Sequence, residues 1–272
     1  AADTGLLEGT PIVAGAGDQA AGAVGMGITR PGAVSVTIGT SGVVFAATDR
    51  PALDPGGRLH TFCHAIPDRW HVMGVTQAAG LSLRWLREQL GMAAQGDEAY
   101  SLMTREAAAI EPGADGVLWA PYLMGERTPH LDPGIRAALT GLAAAHTRGH
   151  IIRAVLEGVA FSLRDSFTIF DELGVPVQRV RLGGGGARSP LWREIQANIY
   201  GHPVETVDAD QGAAFGAGLL AGVGAGLWPS VDGACDRLVH GSVAATPKQS
   251  TVELMNERYA AYRRVYPALA GL

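Results

Sequence analysis

Val177-Gln178-Arg179-Val180-Arg181-Leu182-Gly183-Gly184-Gly185-Gly186-Ala187-Arg188-Ser189-Pro190 decides the fold. Val177 to Leu182 reads as a strand that runs straight into four glycines. Ser189 and Pro190 then open a helix as N-cap and first-turn proline, and Gly201 stops it. A strand, a glycine turn and a capped helix in immediate succession are the repeating unit of a layered α/β domain. The neighbours agree. Upstream, Thr147 caps a long amphipathic helix that ends near Leu173 with Gly174 at the stop, and downstream Val204 to Val207 is a short strand.

Further out, Ala33 to Ile38 is a β-branched, alternating strand, Gly39-Thr40-Ser41-Gly42 a tight turn, and Val43 to Ala46 the returning strand. Thr61 to Ala65 and Trp70 to Val75 suggest two more strands, and Val117 to Ala120 a short buried one. Ala78 to Leu90 and Ala99 to Ala109 are helical. Near the start, Pro11 to Ala14 reads as an apolar strand leading through Gly15 and Gly17 to Asp18 and a small-residue helix. Gly212 to Val231 is uncharged, with Phe215, Leu219, Leu220, Val223 and Leu227 on one helical face and Gly and Ala opposite. Six glycines make it a closely packed helix of a soluble domain rather than a membrane span. Thr251 to Tyr266 is a last amphipathic helix.

The 272 residues hold 47% hydrophobic and 17% charged side chains, enough for a sizeable core and unlike a disordered chain. A net charge of −5 leaves no basic footprint for nucleic acid. Cys63 and Cys235, with no CxxC pair, suit a reducing, cytoplasmic compartment. The chain opens Ala1-Ala2-Asp3-Thr4-Gly5-Leu6, which reads as a helix end with its glycine stop, cut mid-protein.

Asp18 stands at a strand end where backbone can approach a ligand closely, although turns and helix N-caps use Asp in the same way. Gly39 to Gly42 offers N–H groups and hydroxyls at a hairpin tip, either an anion nest or an ordinary β-turn. Gly183 to Gly186 fits neither a Walker A loop nor G-x-G-x-x-G, yet four glycines are costly unless something flat or charged lies against them. Gly125-Glu126-Arg127-Thr128-Pro129-His130-Leu131-Asp132-Pro133 packs four ionisable side chains into one loop, either functional or a surface loop with internal salt bridges. His60, Cys63 and His64 lack a second ligand pair at zinc spacing, so no metal site is assigned.

Ala137-Ala138-Leu139-Thr140-Gly141-Leu142, followed after seven residues by His150-Ile151-Ile152-Arg153-Ala154-Val155-Leu156-Glu157, resembles the C-terminal signature of the FGGY family of carbohydrate kinases. The likeness runs from Gly15 to Gly226, and Gly17 to Gly25 with Tyr122 to His130 resemble the branch that phosphorylates xylulose. The resemblance implies a ribonuclease-H-like, actin-like ATPase domain, a mixed sheet flanked by helices, with the N-terminal domain and its D-x-G-T-[ST] loop absent. It divides the chain into 1–27, a tail of the first-domain region, 28–232, the C-terminal ATP-binding domain, and 233–272, a helical extension. Asp18 matches the catalytic base and Gln19 its neighbour on the sugar hydroxyls. Gly39 and Thr40 match a phosphate-binding turn, Gly80 a glycine near the nucleotide, and Gly184, Gly185, Ala187 and Asn198 the adenosine-binding segment. The implied reaction uses ATP and Mg²⁺ to convert D-xylulose to D-xylulose 5-phosphate. Ribulose, gluconate and glycerol are the alternative substrates, and a non-catalytic actin-like nucleotide-binding module is the alternative class. The implied partners are the sugar, ATP and the N-terminal domain, with room for a homodimer and none for nucleic acid or membrane.

Overall fold

The computed structural model describes residues 2–208 and 212–271. Its first half comprises α1 (Asp18–Gly25), β1 (Gly32–Ile38), β2 (Gly42–Thr48), β3 (His60–Cys63), β4 (Trp70–Thr76), α2 (Gly80–Gln89), α3 (Glu98–Ala108), β5 (Leu118–Ala120) and β6 (Ala138–Thr140). There follow α4 (Arg148–Glu172), β7 (Val177–Gly184), α5 (Pro190–Tyr200), β8 (Val204–Val207), α6 (Gly212–Gly224), α7 (Val231–Leu238), β9 (Gly241–Ala245), α8 (Gln249–Tyr262) and α9 (Val265–Leu269).

The main sheet has the order β3-β4-β2-β1-β7-β8-β9, and β5 pairs with β6 in a small separate sheet. β1 runs antiparallel to β2 and parallel to β7, so the main sheet is mixed. Its centre is apolar on both faces because both are covered. Val34, Val36 and Ile38 of β1, with Val44 and Ala46 of β2, face the large core shared with α2, α3, α4, α5 and α8. Val43, Phe45 and Ala47 point the other way, onto Ala23, Met26 and Ile28 at the end of α1. α6 and α7 extend that second layer through Leu219, Leu220, Val231 and Cys235 packed on Val24.

The glycine face of α6 has a definite task. A Cβ on Gly216 would lie 1.7 Å from the Ala21 carbonyl oxygen, and one on Gly25 would lie 2.3 Å from that of Gly212. The backbones of α1 and α6 therefore touch, and this contact seats the helix that begins at Asp18.

Several local expectations hold for the reasons given. Ser189 Oγ accepts the Trp192 N–H at 3.3 Å, and Gly174 and Gly201 end their helices with φ of +67° and +71°. Thr147 N–H donates to His150 Nδ1 at 3.1 Å at the head of α4. The charged pair of the spaced signature is structural. Arg153 Nε donates to Glu157 Oε1 at 2.7 Å, the same oxygen accepts Gly113 N–H at 3.0 Å, and Arg153 Nη1 donates to the Ile110 carbonyl at 3.0 Å. Together they hold the loop that leads into β5.

Three expectations are corrected, and one strand is added. Pro11 to Ala14 is not a strand, because among the described residues no strand pairs with it and Ile12 lies exposed. The 212–231 run is not one helix, since α6 stops at Gly224 and Val231 begins α7 behind its cap Ser230. The last helix breaks at Arg263 and Arg264 into α8 and α9. β9 was not foreseen at all. Its small residues give no apolar alternation, yet it pairs antiparallel with β8 and closes one edge of the sheet.

His71 stacks on Phe45 with ring centroids 4.3 Å apart, and His64 Nε2 lies 2.9 Å from the Ile28 carbonyl oxygen. Burial pushes His71 down to about 4 and lowers His64 as well. In the unfolded chain both protonate near pH 6.5 (about the ordinary value), so the unfolded state binds more protons below it. Stability is thus lost as pH falls from about 6.5 towards about 4. A His71→Phe variant, which keeps the ring stack, should show a shallower fall of thermal midpoint over that window than wild type. An equal fall would mean that His71 is not the group responsible.

Candidate functional site

The β1–β2 turn and the start of α2 are built against one another. The first N–H groups of a helix have no partner within it, and here the turn supplies acceptors. Ala79 and Leu81 N–H donate to the Thr40 carbonyl at 3.0 and 3.1 Å, and Gly80 N–H donates to that of Gly39 at 2.8 Å. A Cβ on Gly80 would stand 2.4 Å from the Gly39 oxygen, which is why glycine is needed there. Gly39 N–H is used by the Ser41 carbonyl at 2.9 Å. Among the described residues no protein group accepts from the Thr40 N–H or hydroxyl, and Thr40 is exposed.

The glycine run divides its labour. Gly184 has φ +70° and its Cβ would lie 2.5 Å from the Ile38 carbonyl oxygen, while a Cβ on Gly186 would lie 2.6 Å from Ile38 Cδ1. Both are glycines because the loop lies on the end of β1. Gly185 is exposed, and its Cβ would meet nothing closer than 3.7 Å. Gln196 Nε2 donates to the Gly186 carbonyl at 3.1 Å and fixes the loop from below.

These parts enclose a cavity of about 620 Å³. Gly39, Thr40, Gly80 and Gly185 line it, with Gly186, Tyr100 and Thr104 of α3 and Trp192 of α5. A second cavity of about 410 Å³ adjoins the same loop and is lined by Asp18, Gln19, Gly184, Ala187 and Arg193. Arg188 lines both. Asp18 opens α1 with its side chain exposed, and its Oδ1 accepts the Gln19 N–H at 2.8 Å.

The expected nucleotide residues thus separate into two groups. Gly39, Thr40, Gly80 and Gly185 share the larger cavity, whereas Gly184 and Ala187 face the one that holds Asp18. Asn198 lines neither. It is buried on the inner face of α5, where its Oδ1 accepts the Lys248 N–H at 2.8 Å and anchors the approach to α8. Arg188, Tyr100 and Trp192 were not singled out by the sequence reading. Arg188 lies two positions beyond the last glycine of the run and could have been flagged as a cation beside an anion loop, but aromatics on amphipathic helices read as core.

The Gly125 to Pro133 loop is braced by backbone and carboxylate rather than by the internal salt bridges that one of its two readings supposed. Glu126 and Asp132 exchange both backbone N–H···O bonds at 2.8 and 2.9 Å, and Asp132 Oδ1 accepts Gly134 and Ile135 N–H. Glu126 is buried, and its Oε1 accepts Gln77 and Arg127 N–H at 2.9 and 2.8 Å. Burial pushes its carboxyl up to about 8, and that of Asp165 beneath it up to about 7.

The sequence pattern of the FGGY family of carbohydrate kinases, C-terminal domain, matches residues 34–225. The chain is 39% identical over 266 residues to the xylulose kinase of Bacillus subtilis, covering 98% of this chain and 52% of that protein. It is 32% identical to the gluconokinase of the same organism, again over 52% of that protein. The solved xylulose kinase of Rhodospirillum rubrum superposes with a TM-score of 0.89 at 34% identity, covering 98% of this chain and 53% of that one. The chain therefore spans about half the length of the curated relatives it matches. Among the described residues no helix is long and apolar enough to cross a membrane. The glycine loop packed on β1, the turn bound to α2 and the match over most of the chain agree: it belongs to the FGGY family of carbohydrate kinases.

Proposed function

We propose that this chain forms the nucleotide-binding half of an ATP-dependent sugar kinase whose substrate is D-xylulose. The observation that carries it is the adjacency of the two cavities across the Gly183–Gly186 loop, with Arg188 lining both. The larger has the size and mixed lining of a small-molecule site and takes the adenosine and the phosphates, which end at the Thr40 N–H and hydroxyl. The smaller presents Asp18 and Gln19 to the sugar.

In the proposed reaction the C5 hydroxyl oxygen of the sugar attacks the γ-phosphorus in line. Its proton passes to Asp18 as the bond to the β,γ-bridging oxygen breaks, and ADP leaves. Such a transfer needs positioning and charge neutralisation more than covalent participation. A Mg²⁺ would be carried in on the phosphates and held largely through water and carboxylates, as its preference for keeping its hydration dictates. When bound, that ion supplies charge neutralisation at the phosphate oxygens. The other wall of the sugar site belongs, in this proposal, to the further length of chain that the relatives possess.

Gluconate is the second reading, favoured by the gluconokinase at 32% identity. A purely nucleotide-binding module is the reading from another class, and it has no use for a carboxylate in the adjoining cavity. Calorimetric titration of this chain should show ATP binding, and assays with xylulose or gluconate should show no turnover, for want of the other wall. Failure to bind ATP would overturn the nucleotide assignment. A panel of the two sugars with an intact enzyme containing this chain decides the substrate.

A further inference from the structure

Gln77 is the first residue beyond β4, so no strand partner is left for its N–H. A buried N–H needs an acceptor, and Glu126 Oε1 supplies one at 2.9 Å. Two residues earlier the same loop grips β4 in both directions. Thr128 N–H donates to the Val75 carbonyl at 3.0 Å, and Val75 N–H donates to Thr128 Oγ1 at 3.0 Å. The Thr128 hydroxyl in turn donates to the Arg58 carbonyl at 2.7 Å. Two residues later, Ala79, Gly80 and Leu81 donate their N–H groups to the Gly39 and Thr40 carbonyls. A continuous line of hydrogen bonds and peptide units therefore runs from Glu126 through Gln77 to the turn that lines the larger cavity.

We propose that Glu126 is a positioning residue for the Gly39–Thr40 turn, acting through Gln77. The proposal rests on the reading of that cavity as an ATP site. Glu126 is 2% exposed, and its buried Oε2 faces the Ser162 hydroxyl of α4, with no other hydrogen-bond partner for either. The titratable groups that face it are Asp165 of α4, Tyr262 of α8 and Tyr122 of its own segment. None is a cation. Oε1 accepts the Gln77 and Arg127 N–H groups whether or not the carboxyl is ionised, so the hold on the turn lies in the oxygen itself.

The test uses the whole chain, with ATP as ligand and amide hydrogen exchange as an independent readout. Glu126→Ala should bind ATP about tenfold more weakly, the size expected when one buried N–H loses its acceptor. It should also exchange faster at the amides of residues 77 and 79–81. Glu126→Gln keeps an acceptor in the same place, so it should restore both the affinity and the exchange rates of wild type. Unchanged exchange at residues 77 and 79–81 in Glu126→Ala overturns the proposal, as does a Glu126→Gln variant that behaves like Glu126→Ala. If wild type binds no ATP, the nucleotide reading falls, and the exchange pattern alone decides whether Glu126 holds the turn. If Glu126→Ala does not fold, Glu126→Met, which fills the volume but offers no oxygen to Gln77, takes its place in both readouts.

Discussion

Asp18→Asn, in an intact kinase containing this chain, is expected to lower sugar-dependent ADP formation by about 10²–10⁴-fold, the usual contribution of a positioned general base. The substitution is nearly isosteric, and the Asn carbonyl oxygen can still accept the Gln19 N–H that Asp18 Oδ1 accepts at 2.8 Å. The helix start therefore survives and proton acceptance does not. Because Asp18 lies in the smaller cavity and the turn and Gly185 line the larger, ATP affinity should stay unchanged. The loss should fall on kcat and leave the KM for ATP alone. Turnover within a few-fold of wild type would remove Asp18 from the role of base. A parallel loss of ATP affinity would mean that it serves the nucleotide instead.

The second large effect concerns how Asp18 is held. Gly216→Ala would place a methyl group 1.7 Å from the Ala21 carbonyl oxygen, and backbone cannot swing aside as a side-chain tip can. α1 and α6 must separate. An Ala in mid-helix gains about 1 kcal/mol of propensity over Gly, but overpacking of this severity costs at least about 3 kcal/mol. The net sign is destabilising. The thermal midpoint should drop by several degrees, at roughly 2–4 °C per kcal/mol for a chain of this size. Gly218→Ala is the control, since nothing lies within 4 Å of its Cβ position. It should be neutral or slightly stabilising, and an equal drop in both variants would refute the close-contact account.

What could be read in the sequence was local. The alternating β-branched run of β1, the tight turn after it and the caps around α5 are set by residues within a few positions of one another. Pairing is not. Pro11 to Ala14 has strand composition but finds no partner among the described residues, while Gly241 to Ala245 has little strand character and is recruited by β8. The site shows the same division. Asp18, Thr40 and Gly185 could be named because each sits in or beside a glycine-rich turn whose backbone must approach something, and Gly80 only because the family resemblance implied it. Tyr100 and Trp192 could not, since the face an aromatic presents depends on helices far apart in the chain. Asn198 shows the converse, a polar residue that satisfies a distant backbone N–H and lines neither of the two cavities described.

The bond between the Gly39 carbonyl and Gly80 N–H carries one more consequence. That carbonyl and the Thr40 N–H belong to a single planar trans peptide, so they point in opposite directions. One end rests on the first turn of α2, and the other has no acceptor among the described residues. The N-terminal end of a helix carries a partial positive charge, and accepting from it polarises the peptide so that its far N–H becomes a stronger donor. α2 thus does not aim its own N–H groups at an anion. It lends its macrodipole to Thr40 through one intervening peptide, so the strength of that donor depends on the alignment of a helix that need never touch the ligand there.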